Sequence, residues 1–166
     1  MKKIIALNIV VLFFLASFSQ QDSIQLLYKR FPTPPPFKLL LTDSTTIFTD
    51  KNLKKYFPVL IMAFSPDCDH CQHHAEELVK NQEALLYIQI VMSSTQSLEK
   101  IRDFYSKYQL DKMENLVIGQ DREFILSTFY KMKSLPFLAF YDNRGKLIDV
   151  FEGALPVDKI LAYFKK

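Results

Sequence analysis

The period of the hydrophobic positions changes several times along this chain, and each change marks an element. Pro58 to Phe64 (PVLIMAF) is an unbroken apolar run, the pattern of a strand buried on both faces. From Cys68 onward the period becomes helical, with Cys71, Ala75, Leu78, Val79 and Gln82 on one face. Leu86 to Met92 (LYIQIVM) predicts a second buried strand, and Thr95 to Tyr108 a second helix with Leu98, Ile101, Tyr105 and Tyr108 on one side. Leu116 to Ile118 is a short strand. Asp121 supplies a cap for a third helix with Ile125, Thr128, Phe129 and Met132 on its face. Pro136 to Tyr141 (PFLAFY) predicts a strand, Asp142 to Gly145 a turn, and Lys146 to Phe151 its hairpin partner. Pro156 suits a first helical turn, and Val157, Ile160, Leu161 and Phe164 give a closing stripe. Nearer the start, Phe37 to Leu41 and Thr45 to Thr49 form two short strands around Asp43 and Ser44.

This order, three strands and then alternating helices and strands ending in a hairpin and a helix, predicts the α/β class. A mixed central sheet is covered by helices on both faces. The expected domain runs from 37 to 166. Before it, residues 20–36 form a lead-in whose prolines (PTPPP at Pro32 to Pro36) hold the chain extended. The first residues carry a different pattern. Lys2 and Lys3 precede an apolar run from Ile4 to Phe18, and the small residues Ser17 and Ser19 sit at −3 and −1 of a cut before Gln20. That is the order of a signal peptide, and the run is shorter than the ~20 residues of a spanning helix. The expectation is a cleaved signal over 1–19 and export, with the periplasm as destination. A retained anchor is the alternative.

Without residues 1–19 the chain has 147 residues, about one domain, and its formal charge falls from +3 to +1 because only Lys2 and Lys3 are lost. Such a balance provides no electrostatic basis for binding nucleic acid or an anionic membrane. Fifteen Phe and eight Tyr furnish the core, and three glycines are too few for a glycine-rich phosphate loop. Glu76 and Glu77 are adjacent on a helix, so they diverge by about 100° and do not form an acid–base pair.

Both cysteines of the chain, Cys68 and Cys71, lie within four residues. A disulfide closing so short a loop removes little chain entropy, so the pair points to redox chemistry or metal binding rather than to a staple. A buried strand ends, the chain turns, and a helix begins at Cys68. The first thiol therefore meets the free N–H groups and positive end of a helix, which stabilise the nucleophilic thiolate. Cys71 lies one turn deeper on the same face, placed to resolve a mixed disulfide held by Cys68. An imidazolium at His70 would favour the Cys68 thiolate and make the disulfide more oxidising, whereas the charges of Asp67 and Asp69 act the other way.

These residues resemble the thioredoxin superfamily, specifically its exported TlpA/ResA-like thiol–disulfide oxidoreductases. The resemblance runs from about Pro36 to the C-terminus. It is carried by PVLIMAFSPDCDHC and by SLPFLAFYDNRGKLIDVFEG. It implies a thioredoxin-like fold, with Cys68 as attacking thiol and Cys71 as resolving thiol. It also implies a cis-proline at Pro136, preceded by Leu135, that docks substrate beside the cysteines. No cofactor is implied beyond the redox-active Cys68–Cys71 disulfide. The implied partners are protein dithiols or disulfides and a further redox protein that donates or accepts electrons. Asp67 stands where many members have Trp, and Met62 where thioredoxins commonly carry a buried carboxylate. Two other readings use the same segment. Cys68, Cys71 and His74, with His73 pointing away, could bind zinc or copper(I). Alternatively, the domain is a binding module whose cysteines are redox-silent.

Overall fold

The structure is a computed structural model that describes residues 26–165. The expected signal segment and the first part of the lead-in lie outside the described residues. In chain order the elements are α1 (Leu27–Arg30), β1 (Lys38–Leu41), β2 (Ile47–Thr49), β3 (Val59–Ala63), α2 (Asp69–Lys80), α3 (Gln82–Leu85), β4 (Gln89–Ser94), α4 (Leu98–Lys107), β5 (Leu116–Gln120), α5 (Ile125–Tyr130), β6 (Phe137–Tyr141), β7 (Leu147–Glu152) and α6 (Val157–Phe164). Single 3-10 turns cover Asp50–Asn52 and Leu110–Lys112.

Seven strands form one sheet in the order β2-β1-β5-β4-β3-β6-β7. The central β5, β4 and β3 are parallel, and the outer pairings are antiparallel, so the sheet is mixed as expected. The period of two sends alternate residues to opposite faces, so β3, buried at every position, is apolar throughout. Leu60, Met62 and Phe64 enter one core with Cys71, Ala75 and Leu78 of α2, Ile101 and Phe104 of α4, and Val157 and Ile160 of α6. Their neighbours Val59, Ile61 and Ala63 enter the other core with Leu126 and Tyr130 of α5. Strand β6 divides the same way, Leu138 and Phe140 against Phe137, Ala139 and Tyr141. Tyr28 of α1 packs against Tyr130, with ring centroids 5.9 Å apart. The carbonyl of Pro32 accepts the Leu147 N–H of β7 at 2.8 Å. The described part of the lead-in is thus folded onto the domain.

Several elements differ from the expectation. The strand expected from Leu86 begins at Gln89, because α3 occupies Gln82–Leu85 and leaves Leu86 and Tyr87 exposed at the join. On α4 the buried residues are Ile101 and Phe104, with Tyr105 only half-buried. On α5 the buried face is Leu126 and Tyr130, and Thr128 is exposed. The cause is local. Phe124 has a left-handed φ of 55°, so the helix starts after it, and the face rotates accordingly. Asp121 nonetheless caps this helix from a distance: its carboxylate accepts the N–H groups of Ile125 at 3.2 Å and Leu126 at 2.9 Å.

Candidate active site

The parallel strands β3, β4 and β5 all end at one edge of the sheet, and a ligand crevice lies beyond such carboxyl ends. Beyond β3, Phe64 donates its N–H to Ser93 of β4 at 2.9 Å, and Ser65 to Asp67 make a tight turn. The Cys68 N–H closes that turn on the Ser65 carbonyl at 3.1 Å, and the Gln72 side chain ties down the Pro66 carbonyl at 2.9 Å. Cys68 is the residue immediately before α2. Its backbone is extended, and its carbonyl accepts the N–H of Gln72 at 3.0 Å. Cys68 is thus the N-cap of α2, next to the first turn whose N–H groups lack intrahelical partners, and its side chain makes no capping hydrogen bond.

Both cysteines are free thiols, and they differ in access: Cys68 is half-buried and Cys71 is 0% exposed. Burial pushes the Cys71 thiol up to about 12, and its hydrogen bond with Cys68 adds to the effect. A backbone hydrogen bond at Ser65 pulls the other way. Facing Cys68 across the site is the loop before β6. The Leu135–Pro136 peptide bond is cis, and the Leu135 carbonyl accepts from the Cys68 thiol at 3.7 Å.

The remaining expected residues separate into exposed and buried sets. Asp67, Asp69 and His70 are exposed around the start of α2. The Asp67 carboxylate pairs with Lys100 of α4 at 2.5 Å, a cation that sequence patterning did not single out because it lies 33 residues away. His73 is exposed beside Glu76, at 3.8 Å. His74 is 2% exposed, and neither ring nitrogen has a hydrogen-bond partner. Burial, with His73 adding a smaller repulsion, brings His74 down to about 4. Among the described residues, no three of His, Cys, Asp and Glu converge into a metal-ligand set, so Cys68, Cys71 and His74 do not assemble one.

A cleft of about 400 Å³ opens beside Cys68. Its lining includes Phe64, Ser93, Leu126, Lys133, Ser134 and Leu135. A second, larger pocket of about 500 Å³ surrounds Tyr56, Phe57 and the Asn143–Gly145 turn. It sits at the opposite end of the sheet, by the start of β3 and the end of β6, away from the cysteines.

A half-exposed thiol thus stands at a helix start, a buried thiol lies one turn inward, and a cis X-Pro bond adjoins the carbonyl that the first thiol contacts. The model of the thioredoxin-like domain matches residues 47–166, most of the chain, and the protein belongs to that family. No curated protein matches it in sequence. Its fold is similar to that of a secreted disulfide oxidoreductase of Mycobacterium tuberculosis homologous to Escherichia coli DsbE. The two are 20% identical with a TM-score of 0.65, over 77% of this chain and 93% of that one. It is also similar to StoA from Bacillus subtilis (14% identity, TM-score 0.61, 80% and 98% of the two chains). A third likeness is to the peroxidoxin BcpB of M. tuberculosis (17% identity, TM-score 0.66, 80% and 94%). At these identities the likeness is one of fold, and it spans more than one chemistry.

Proposed function

We propose that this protein is an exported thiol–disulfide oxidoreductase that exchanges disulfides with protein substrates through Cys68 and Cys71. The observation that carries the reading is the unequal access of the two thiols, with Cys68 open at the start of α2 and Cys71 enclosed one turn inside. In the reducing direction the Cys68 thiolate attacks one sulfur of a substrate disulfide. A mixed disulfide forms, and the other substrate sulfur leaves as a thiolate that takes up a proton. Cys71 then loses its proton and attacks Sγ of Cys68. The second substrate sulfur is released, and the protein is left with a Cys68–Cys71 disulfide. Two electrons have passed to the substrate, and a reducing partner must restore the dithiol. Run backwards, the same steps oxidise a substrate dithiol.

In this reading Leu135 and Pro136 dock the substrate, and His70, Asp67 and Asp69 modulate the couple. The redox-active disulfide is the only prosthetic element. Export to the periplasm rests on the signal-like order of residues 1–19. Among the described residues, no helix is long and apolar enough to cross a membrane. The test is reduction of insulin disulfides by the dithiol protein, together with the equilibrium potential of the couple against glutathione. Turnover that disappears in Cys68→Ser supports the reading, and a wild-type protein inert toward protein disulfides overturns it. A potential near −270 mV marks a reductase, and one near −120 mV an oxidase, on the scale set by thioredoxin and DsbA, at about those values.

A further inference from the structure

The loop that carries Leu135 and Pro136 is fastened from outside. Glu152, the last residue of β7, reaches it with both carboxylate oxygens: Oε1 accepts the Lys133 N–H at 3.4 Å, and Oε2 accepts the Ser134 hydroxyl at 3.1 Å. The next residue, Gly153, donates its N–H to the Pro136 carbonyl at 2.7 Å. Two consecutive residues at the end of one strand thus hold the strip 133–136 at three points. Two residues before this strip, Lys131 ends α5 with a left-handed φ of 51°, and the Met132 N–H bonds the Ser127 carbonyl at 3.2 Å, so the chain leaves the helix in a closed turn that leads into the strip. Lys133, Ser134 and Leu135 also line the cleft together with Cys68.

We propose that Glu152 is a positioning residue for disulfide exchange. It fixes Lys133 and Ser134 so that the docking cleft beside Cys68 keeps its shape. Glu152 acts on the docking of a protein substrate and leaves the thiol chemistry itself untouched. The proposal rests on the oxidoreductase reading above. A carboxylate serves both donors at once. A glutamine keeps both contacts by accepting from the Lys133 N–H and donating to the Ser134 oxygen, and an alanine keeps neither.

The experiment compares wild type, Glu152→Gln and Glu152→Ala in insulin reduction. Iodoacetamide alkylation of Cys68, the potential of the couple and hydrogen exchange of the Lys133 amide are measured on the same three proteins. In Glu152→Ala, KM for insulin rises about three- to tenfold, the size of one or two ordinary hydrogen bonds, with kcat within about twofold. Its Lys133 amide exchanges faster, while alkylation and potential do not move. Glu152→Gln stays near wild type in every measurement. An unchanged KM in the alanine variant overturns the proposal. So does a glutamine variant as impaired as alanine, or a change that appears equally in alkylation or potential. A wild-type protein inert toward insulin overturns the oxidoreductase reading instead, and the Lys133 exchange rates then decide whether Glu152 holds the loop. Equal rates in all three proteins remove that role as well.

Discussion

Sγ of Cys68 lies 3.7 Å from the carbonyl oxygen of Leu135, a contact between residues 67 apart in sequence. Cys71, three residues from Cys68, has no access to solvent at all. The two sulfurs therefore face different surroundings: one is open at the cleft, and the other is reached only through its neighbour.

This division predicts different trapping by the two serine variants. Cys71→Ser accumulates a mixed disulfide through Cys68, since nothing resolves it. Cys68→Ser traps little, because the remaining thiol is enclosed and its burial disfavours the thiolate. Pull-down of exported proteins with each variant, followed by elution with reductant, measures both outcomes. Equal trapping by the two variants contradicts the assignment.

The Lys100–Asp67 pair predicts a small, signed change in potential. Asp67 stands immediately before Cys68, and its charge opposes a thiolate there, whereas Lys100 offsets that charge. Lys100→Met therefore makes the couple more reducing. Both groups are largely exposed, so the shift is no more than about 20 mV and shrinks further in salt. Adding Asp67→Asn restores the potential. Equilibration with glutathione at low and high ionic strength checks the sign. A more oxidising Lys100→Met protein refutes the charge argument.

His74 predicts a pH dependence of stability. Its folded-state value of about 4 lies below the ordinary 6.5, so the unfolded chain takes up a proton across that window while the folded chain refuses it. Stability contributed by the neutral imidazole is complete above about pH 6.5 and is lost as pH falls toward 4. The slope reaches up to about 1.4 kcal/mol per pH unit. His74→Leu removes this component and the two unpartnered ring nitrogens, so the variant gains on wild type as the medium is acidified. Urea unfolding at pH 7 and pH 5 gives the comparison, and parallel pH slopes for the two proteins count against it.

Gly119 of β5 predicts a packing penalty. A Cβ there would stand 2.8 Å from the Leu40 carbonyl oxygen and 2.9 Å from Cβ of Leu39, on the adjacent strand β1. Backbone cannot yield as a flexible side chain does, so Gly119→Ala costs about 1–3 kcal/mol. The urea midpoint falls with an unchanged m-value. An unaltered midpoint shows that β1 moves freely.

How legible each part was depended on whether its cause is local. The run from Pro58 to Phe64 announces a two-faced strand because each residue from Val59 to Phe64 meets a core, and Cys71, Ala75 and Leu78 announce a buried helix face. Leu86 and Tyr87 misled because the apolar run continues through the end of α3 with no turn residue to interrupt it. The face of α5 turned on the left-handed Phe124, a conformation that nothing in its neighbours signals. At the site, the spacing of Cys68 and Cys71 was readable at once. Lys100 and Glu152 were not, since they reach Asp67, Lys133 and Ser134 only after the sheet has formed.

The bond from Leu147 to the Pro32 carbonyl has a consequence for self-association. An outermost strand presents unpaired N–H and C=O groups on which a second copy can extend the sheet. Strand β7 is outermost, and the segment lying against its start is rich in residues that accept hydrogen bonds but have no N–H to donate. Pro32 thus occupies the Leu147 N–H at the start of that edge without offering an N–H of its own to a neighbour. A chain trimmed to begin at Phe37 keeps both cysteines but bares that edge, and its first failing is aggregation rather than lost chemistry.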